Sequence, residues 1–182
     1  RMLDNLSFSL STDGSINTMN ANLNEFAQPT RYSWLTAFAG KYMNDWLTIS
    51  ASALATIINE DVKEGGSAGN HRKLTPYISA SFKPFYHEEF RIRFFYKDIF
   101  RLPSFNDLYY QEVGNTKLRP ENARQYNVGL TYSKNVCPFL PYLSATIDAY
   151  YNKVTDKIIA YPTKNLAVWS MRNLGEVEIK GI

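Results

Sequence analysis

The sequence predicts an all-β protein, an antiparallel up-and-down sheet forming a segment of a transmembrane β-barrel. Apolar and polar residues alternate in eight runs, short and long connections alternate between those runs, and aromatic side chains gather near the run ends. Strict period-two alternation places successive side chains on opposite faces of a strand. In a meander every second connection lies at the same end. The long connections therefore share one rim, as in outer-membrane barrels with short turns on one side and long loops on the other.

The predicted strands are 3–11, 31–42, 46–58, 73–83, 89–101, 123–134, 142–155 and 167–182, rich in Val, Thr, Tyr and Phe. The stretch 47–58 contains several alanines and is ambiguous. Its face of Leu47, Ile49, Ala51, Ala53 and Ala55 has period two, which favours a strand. Short connections are expected at Met43-Asn44-Asp45, around Pro84 to Glu88, and from Asn135 to Pro141. Long polar connections are expected at 12–30, 59–72, 102–122 and 156–166.

Charge orients the faces. Phe90, Ile92, Phe94 and Tyr96 share one side of their strand, and Arg91, Arg93, Phe95 and Lys97 share the other. A basic residue facing lipid near the midplane costs about 2–4 kcal/mol. Two of them would approach the whole stability of a typical domain. The arginines therefore face inward. The next strand follows the same rule, with Tyr126, Val128, Leu130 and Tyr132 opposite Gln125, Asn127, Gly129, Thr131 and Ser133. So does 143–151, where Leu143, Ala145, Ile147, Ala149 and Tyr151 oppose Ser144, Thr146, Asp148 and Tyr150. Asp148 is a candidate partner for Arg91 and Arg93. Tyr32, Trp34, Tyr42, Trp46, Tyr126, Tyr132 and Tyr151 fit an aromatic girdle.

Composition agrees with this reading without requiring it. The 182 residues include 13 Tyr, 11 Phe and 3 Trp. No run approaches the ~18 consecutive apolar residues of a membrane helix, which a barrel does not need. A net charge of +3 gives no argument for nucleic acid. The one cysteine, Cys137, leaves no internal disulfide and no cysteine-based metal cage. The chain opens at Arg1 without a recognisable leader and stops at Gly181-Ile182 within an expected strand, so it reads as a fragment of a larger protein. A soluble β-sandwich that binds carbohydrate or protein would show the same alternation, its aromatic face being a packed core. A small closed eight-stranded barrel is a third reading.

Two boxes carry a more specific signal. Phe100-Arg101-Leu102-Pro103-Ser104 continues to Leu108-Tyr109, and Asn115-Thr116-Lys117-Leu118-Arg119-Pro120-Glu121 then runs into a strand. A weaker third stretch is Asn173-Leu174-Gly175-Glu176-Val177-Glu178-Ile179-Lys180-Gly181-Ile182. In order and spacing these resemble TonB-dependent outer-membrane receptors over most of 71–182. Residues 1–70 match only in strand rhythm. The resemblance implies a bacterial outer-membrane barrel of ~22 strands, of which residues 1–182 supply about eight. It also implies a separate plug domain, absent here, through which the TonB energy-coupling protein acts.

Read as chemistry, the boxes are loop anchors. Pro103 and Pro120 stop strand pairing because neither donates a backbone hydrogen bond. Gly114-Asn115 is a turn signal. Arg101 and Glu121 stand at the two feet of one loop and are placed to pair. Arg101, Pro103, Asn115, Leu118, Pro120 and Glu121 are therefore the expected anchors. Ligand contact falls to the loop interior, Asn106, Asp107, Tyr109, Tyr110, Gln111 and Glu112, which offer stacking faces and hydrogen-bonding groups. A solvated loop tip fits those six residues equally well. Haem-importing members of the family commonly carry a histidine between the boxes, and none lies between Phe100 and Glu121. His71 and His87 fall at opposite rims and read as solvated. Glu60-Asp61 and Glu88-Glu89 read as ordinary turn charges, and the spacing of Glu60, Asp61 and Glu64 matches no calcium loop. No phosphate loop or nucleophile elbow is present. The expected function is receptor-mediated import of a scarce nutrient complex, a ferric siderophore or cobalamin, with lipid as surroundings, no resident cofactor or metal, no nucleic acid and no enzymatic step.

Overall fold

The computed structural model describes residues 5–87, 89–135, 142–163 and 168–182. Eight strands run in chain order: β1 (Leu6–Thr18), β2 (Thr30–Met43), β3 (Leu47–Asp61), β4 (His71–Phe82), β5 (Glu89–Arg101), β6 (Glu121–Lys134), β7 (Leu143–Pro162) and β8 (Trp169–Gly181). A single helical turn, α1 (Phe105–Tyr109), lies between β5 and β6. The strands form one antiparallel sheet in the order β1-β2-β3-β4-β5-β6-β7-β8. Its outer strands, β1 and β8, do not pair with each other, so eight strands do not close a barrel here. No second layer covers the apolar face among the described residues. Cys137, Glu88 and the turn at 136–141 lie outside the described residues.

Cross-strand register confirms the face assignment residue by residue. Ile92 pairs with Leu130 and Leu130 with Ile147, while Phe94 pairs with Val128 and Val128 with Ala149. Ile92, Phe94, Val128, Leu130 and Ile147 are all exposed on this sheet. The opposite face carries Arg93, Gly129 and Asp148 in one row. Arg93 Nη2 bonds Asp148 Oδ1 at 2.9 Å across the intervening strand. Gly129 is what permits this, because a Cβ there would collide with the Asp148 carboxylate and the Arg93 guanidinium.

On the apolar face an aromatic row marks a boundary. Tyr96, Tyr126 and Tyr151 are cross-strand neighbours, with ring centroids 5.0 Å and 6.1 Å apart. The next outward positions toward the loop rim are Asp98, Arg124 and Lys153. The change from apolar to charged within one strand repeat is the signature of a membrane–water interface.

Several strands run further than the sequence indicates. β1 continues to Thr18 and β7 to Pro162, seven residues beyond the predicted ends in each case. The segment 156–166 is thus mostly strand, and residues 163–168 connect β7 to β8. Thr12, Asp13, Gly14 and Ser15 interrupt the apolar alternation of β1. Their backbone is held instead by pairing with β2, a term that side-chain pattern does not report. Pairing between β4 and β5, in contrast, stops at Tyr77 with Lys97. The next residue of β4 is Pro76, which has no N–H to give. β4 stays paired with β3 through His71.

Leu130→Arg in the intact protein should lower stability by about 2–4 kcal/mol, and Thr131→Arg on the opposite face by much less. Urea unfolding of the two variants in lipid vesicles checks the difference.

Candidate functional site

The segment 102–120 leaves the end of β5 and returns at the start of β6, and it is folded down onto the rim. At its feet Arg101 pairs with Glu121 in strand register, and Arg101 Nη1 lies 3.0 Å from Glu121 Oε2. Glu121 is buried. Its carboxylate also accepts the Ile158 N–H at 2.6 Å and approaches Lys157 Nζ at 3.2 Å. Burial alone would push its pKa up. The bonds from Ile158, Arg101 and Lys157 outweigh that and hold it below the ordinary carboxylate value.

The first box continues through Pro103, which is fully buried and whose carbonyl accepts Arg31 Nη2 at 3.0 Å. Ser104 then caps α1 in a reciprocal capping box. Asp107 N–H donates to Ser104 Oγ at 3.2 Å and Ser104 N–H to Asp107 Oδ2 at 2.9 Å. One helical turn brings Leu108 and Tyr109 to the inner side, where they pack with Phe26, Leu118 and Ile158.

Beneath that cluster lies a buried polar group. Tyr109 donates its hydroxyl hydrogen to Glu60 and accepts the Ala68 N–H at 3.2 Å. Glu60, 5% exposed, pairs with Arg31 at 2.7 Å, and the Arg31 guanidinium lies 4.7 Å from the Phe105 ring centroid. Burial, then the bond to Glu60, pushes the Tyr109 phenol up to about 12. The phenol is therefore neutral and a donor at every ordinary pH. A buried carboxylate is tolerated only when paired and hydrogen-bonded, and Glu60 has both.

The second box ties the loop to the far side of the rim. Gly114 accepts no substitution, because a Cβ would collide with the backbone of Leu108 and Tyr110. Asn115 N–H donates to Asp107 O at 2.8 Å, and Asn115 Nδ2 donates to Met171 O at 3.0 Å. Leu118 is buried. Arg119 N–H donates to Asn173 Oδ1 at 2.8 Å, Asn173 Nδ2 donates back to Arg119 O at 2.8 Å, and Arg119 Nε donates to Asp156 at 2.9 Å. Pro120 then leads into β6. Segment 102–120 is thus a brace, gripping β2 and β3 through Arg31 and Glu60, and β7 and β8 through Ile158, Met171 and Asn173.

The six loop-interior residues separate into two groups. Tyr109 is buried, and Asp107 is engaged by its cap. Asn106, Tyr110, Gln111 and Glu112 are exposed on the outer surface, with Gln111 Nε2 donating to Asn24 O at 3.0 Å. Arg101, Pro103, Asn115, Leu118 and Glu121 each make a specific contact in the brace. Arg31 goes unrecognised by sequence reasoning, which takes Glu60 for a turn charge and quotes Asn173 only as the start of the weaker third stretch. Their partners lie tens of residues away, and no local spacing announces them. His71 stands at the loop rim beside Phe100, with ring centroids 6.4 Å apart, and His87 at the turn rim beside Tyr86. Among the described residues no three His, Cys, Asp or Glu side chains converge as metal ligands.

Comparison with known proteins places this geometry. A family model described as "TonB dependent receptor-like, beta-barrel" matches residues 17–182. The vitamin B12 transporter BtuB of Vibrio vulnificus is 35% identical over 83 residues, 46% of this chain and 13% of that protein. Its counterpart from Photobacterium profundum is 32% identical over 87 residues, again 46% and 13%. The matched part of the chain therefore spans about an eighth of the length of these relatives. Among solved structures, the FrpB iron transporter from Neisseria meningitidis (F5-1 variant, apoprotein form) matches with a TM-score of 0.60 and 13% identity. That match covers 86% of this chain and 23% of the other, and it shows a shared fold.

Arg31→Ala in the intact protein leaves Glu60 buried without its cation and should release the brace at a cost of about 3 kcal/mol. Protease cleavage within 102–120 reads the loss. Acid should loosen the other foot. Because the Glu121 pKa is depressed in the folded state, its contribution is present above the unfolded value of about 4.3 and fades as pH falls through the lower folded one. A spin label at position 117, in a background with Cys137→Ser, should gain mobility as pH falls beneath the ordinary carboxylate range, and Glu121→Gln should abolish that dependence.

Proposed function

As the chain belongs to the TonB-dependent receptor β-barrel family and forms part of the wall of a Gram-negative outer-membrane barrel, we propose that it serves receptor-mediated import of a scarce nutrient complex. The observation that carries this reading is the braced loop. It is held rigidly on its inner side and presents Asn106, Tyr110, Gln111 and Glu112 on its outer side. A flat aromatic, two amides and a carboxylate on a fixed platform suit a large polar ligand, which needs positioned hydrogen bonds and a stacking surface.

The ligand we propose is a corrinoid such as cobalamin, with a ferric siderophore as the alternative. Sequence identity with two vitamin B12 transporters, across 46% of this chain, supports the corrinoid. In this proposal the outer loops capture the complex. Transport is driven by TonB acting on a plug domain contributed by the larger protein of which residues 1–182 are a part. This chain's share of the mechanism is noncovalent: Arg101, Pro103, Asn115, Leu118, Pro120 and Glu121 fix the loop, and its outer side meets the ligand.

A strain lacking the parent gene should lose uptake of one labelled nutrient when tested with cobalamin, ferric siderophores, haem and oligosaccharides. Unchanged uptake of all four classes would count against import. Tyr110→Ala combined with Glu112→Ala should weaken ligand binding to intact cells roughly tenfold with surface display unchanged.

A further inference from the structure

β4 and β5 pair from Phe82 with Ile92 to Tyr77 with Lys97, and no further. Beyond that point each strand keeps only its other neighbour, β4 bonding β3 as far as His71 and β5 bonding β6 as far as Arg101. Among the described residues no ion pair or hydrogen bond joins 71–76 to 98–101. His71 meets Phe100 there as a ring contact, with centroids 6.4 Å apart. The wall is hollow on both faces of this break. A cavity of about 620 Å³, lined on the lumen face by Leu54, Thr75, Tyr77 and Lys97, and an outer-face cleft of about 200 Å³ share Asp98 and Ile99. We propose that the wall opens here: when the brace lets go of Arg31 and Glu60, β4 and β5 part above Tyr77 and the mouth over the lumen widens.

Position is the first argument. Tyr96 of the aromatic row pairs with Ile78, so the break begins one residue beyond that row, on its loop side. Within hydrocarbon, strands that part leave peptide groups with no partner at all. At the rim, water takes the place of the missing strand. Opening is therefore confined to the upper wall, and the ladder below it serves as the fixed end.

The second argument is what holds the break shut. The brace springs from β5, returns to β6 and reaches past β4 to β2 and β3. Its hold on that far side is the cluster with Phe26, the bond of Gln111 to Asn24 O and one polar knot. In the knot Arg31 Nη2 donates to Pro103 O at 3.0 Å. The Tyr109 hydroxyl donates to Glu60 and accepts the Ala68 N–H at 3.2 Å. Letting go leaves no buried charge without its counterion, because Arg31 and Glu60 stay paired with each other at 2.7 Å. On the near side Arg101, Glu121 and Asn115 keep their partners in β5 to β8. The brace thus has one side built to stay and one able to leave. A wider mouth would pass a bulky nutrient complex; that use rests on the import reading above, and the parting itself does not.

The test uses the intact receptor in nanodiscs, with Cys137→Ser and spin labels at Leu74→Cys on β4 and Arg124→Cys on β6, both exposed positions. A control pair, Ala80→Cys and Val128→Cys, lies in one cross-strand row below the break. Tyr109→Ala and, separately, Arg31→Ala should lengthen the upper distance by about 5 Å, one strand spacing, and leave the lower one unchanged. Heat-dependent gel mobility verifies that each variant is folded. An upper distance that holds in both variants, or equal lengthening of the lower pair, would overturn the proposal. Joining the upper two cysteines with a reducible bismaleimide should preserve binding of labelled cobalamin or ferric siderophore to cells and cut its uptake roughly tenfold, with recovery on reduction. Uptake at the wild-type rate in the joined receptor would sink the widening of the mouth. The distance measurements need no nutrient, so their outcome is separate from that of the import reading.

Discussion

Hydrocarbon solvates neither ions nor unpaired peptide groups, and this one constraint dictates most of the molecule. Peptide groups must find partners in neighbouring strands, so the chain within the bilayer forms a continuous ladder from β1 to β8. Charged side chains must turn away from lipid, so a one-residue slip of β5 would move Arg91 and Arg93 into hydrocarbon. The Arg93 and Asp148 pair shows the constraint at close range. The two charges face the lumen side from β5 and β7, and the intervening strand presents only Gly129 between them. Register, face and residue size are fixed together there.

Above the aromatic row that constraint lapses and a different one takes over. Water satisfies exposed backbone, so the strands have no need to continue, and yet β1 and β7 do. What holds the rim is a small apolar cluster of Phe26, Leu108, Tyr109, Leu118 and Ile158, locked by buried acids at two points. Glu60 and Glu121 each collect several donors, and a carboxylate with several donors fixes geometry more firmly than one exposed ion pair. The loop is held on its inner surface for this reason, while its outer one is exposed and keeps the bond of Gln111 to Asn24 O.

The membrane part of the fold was legible because lipid imposes a period on the sequence. Ile92, Phe94, Val128, Leu130 and Ile147 declare their face without reference to any other strand. Arg101 with Glu121 was legible for a similar reason, since both sit at the feet of one loop. The extension of β1 past Ser11 was not, because Thr12, Asp13, Gly14 and Ser15 break the apolar alternation that marks a strand. Nor was the bond of Tyr109 to Glu60, between residues 49 apart in sequence. Tyr109 within a loop and Glu60 at a strand end each look solvated until the fold brings them together. Of the six residues expected at the ligand, the sequence could not say that one helical turn would aim Tyr109 inward and leave Tyr110 outward.

Pro76 has a mechanical consequence. A sheet bonded on both sides of every strand resists shear evenly, and a barrel wall built so behaves as one shell. On the loop side of Tyr77 and Lys97 the bonding between β4 and β5 is missing, so the upper wall consists of two stiff panels, β1 to β4 and β5 to β8, joined only below. Strain applied to the rim concentrates at such a seam as it does at a perforation. The brace crosses that line, gripping β2 and β3 on one panel and β7 and β8 on the other. It acts as a tie rod, and tension on the loop is delivered to the weakest joint in the wall.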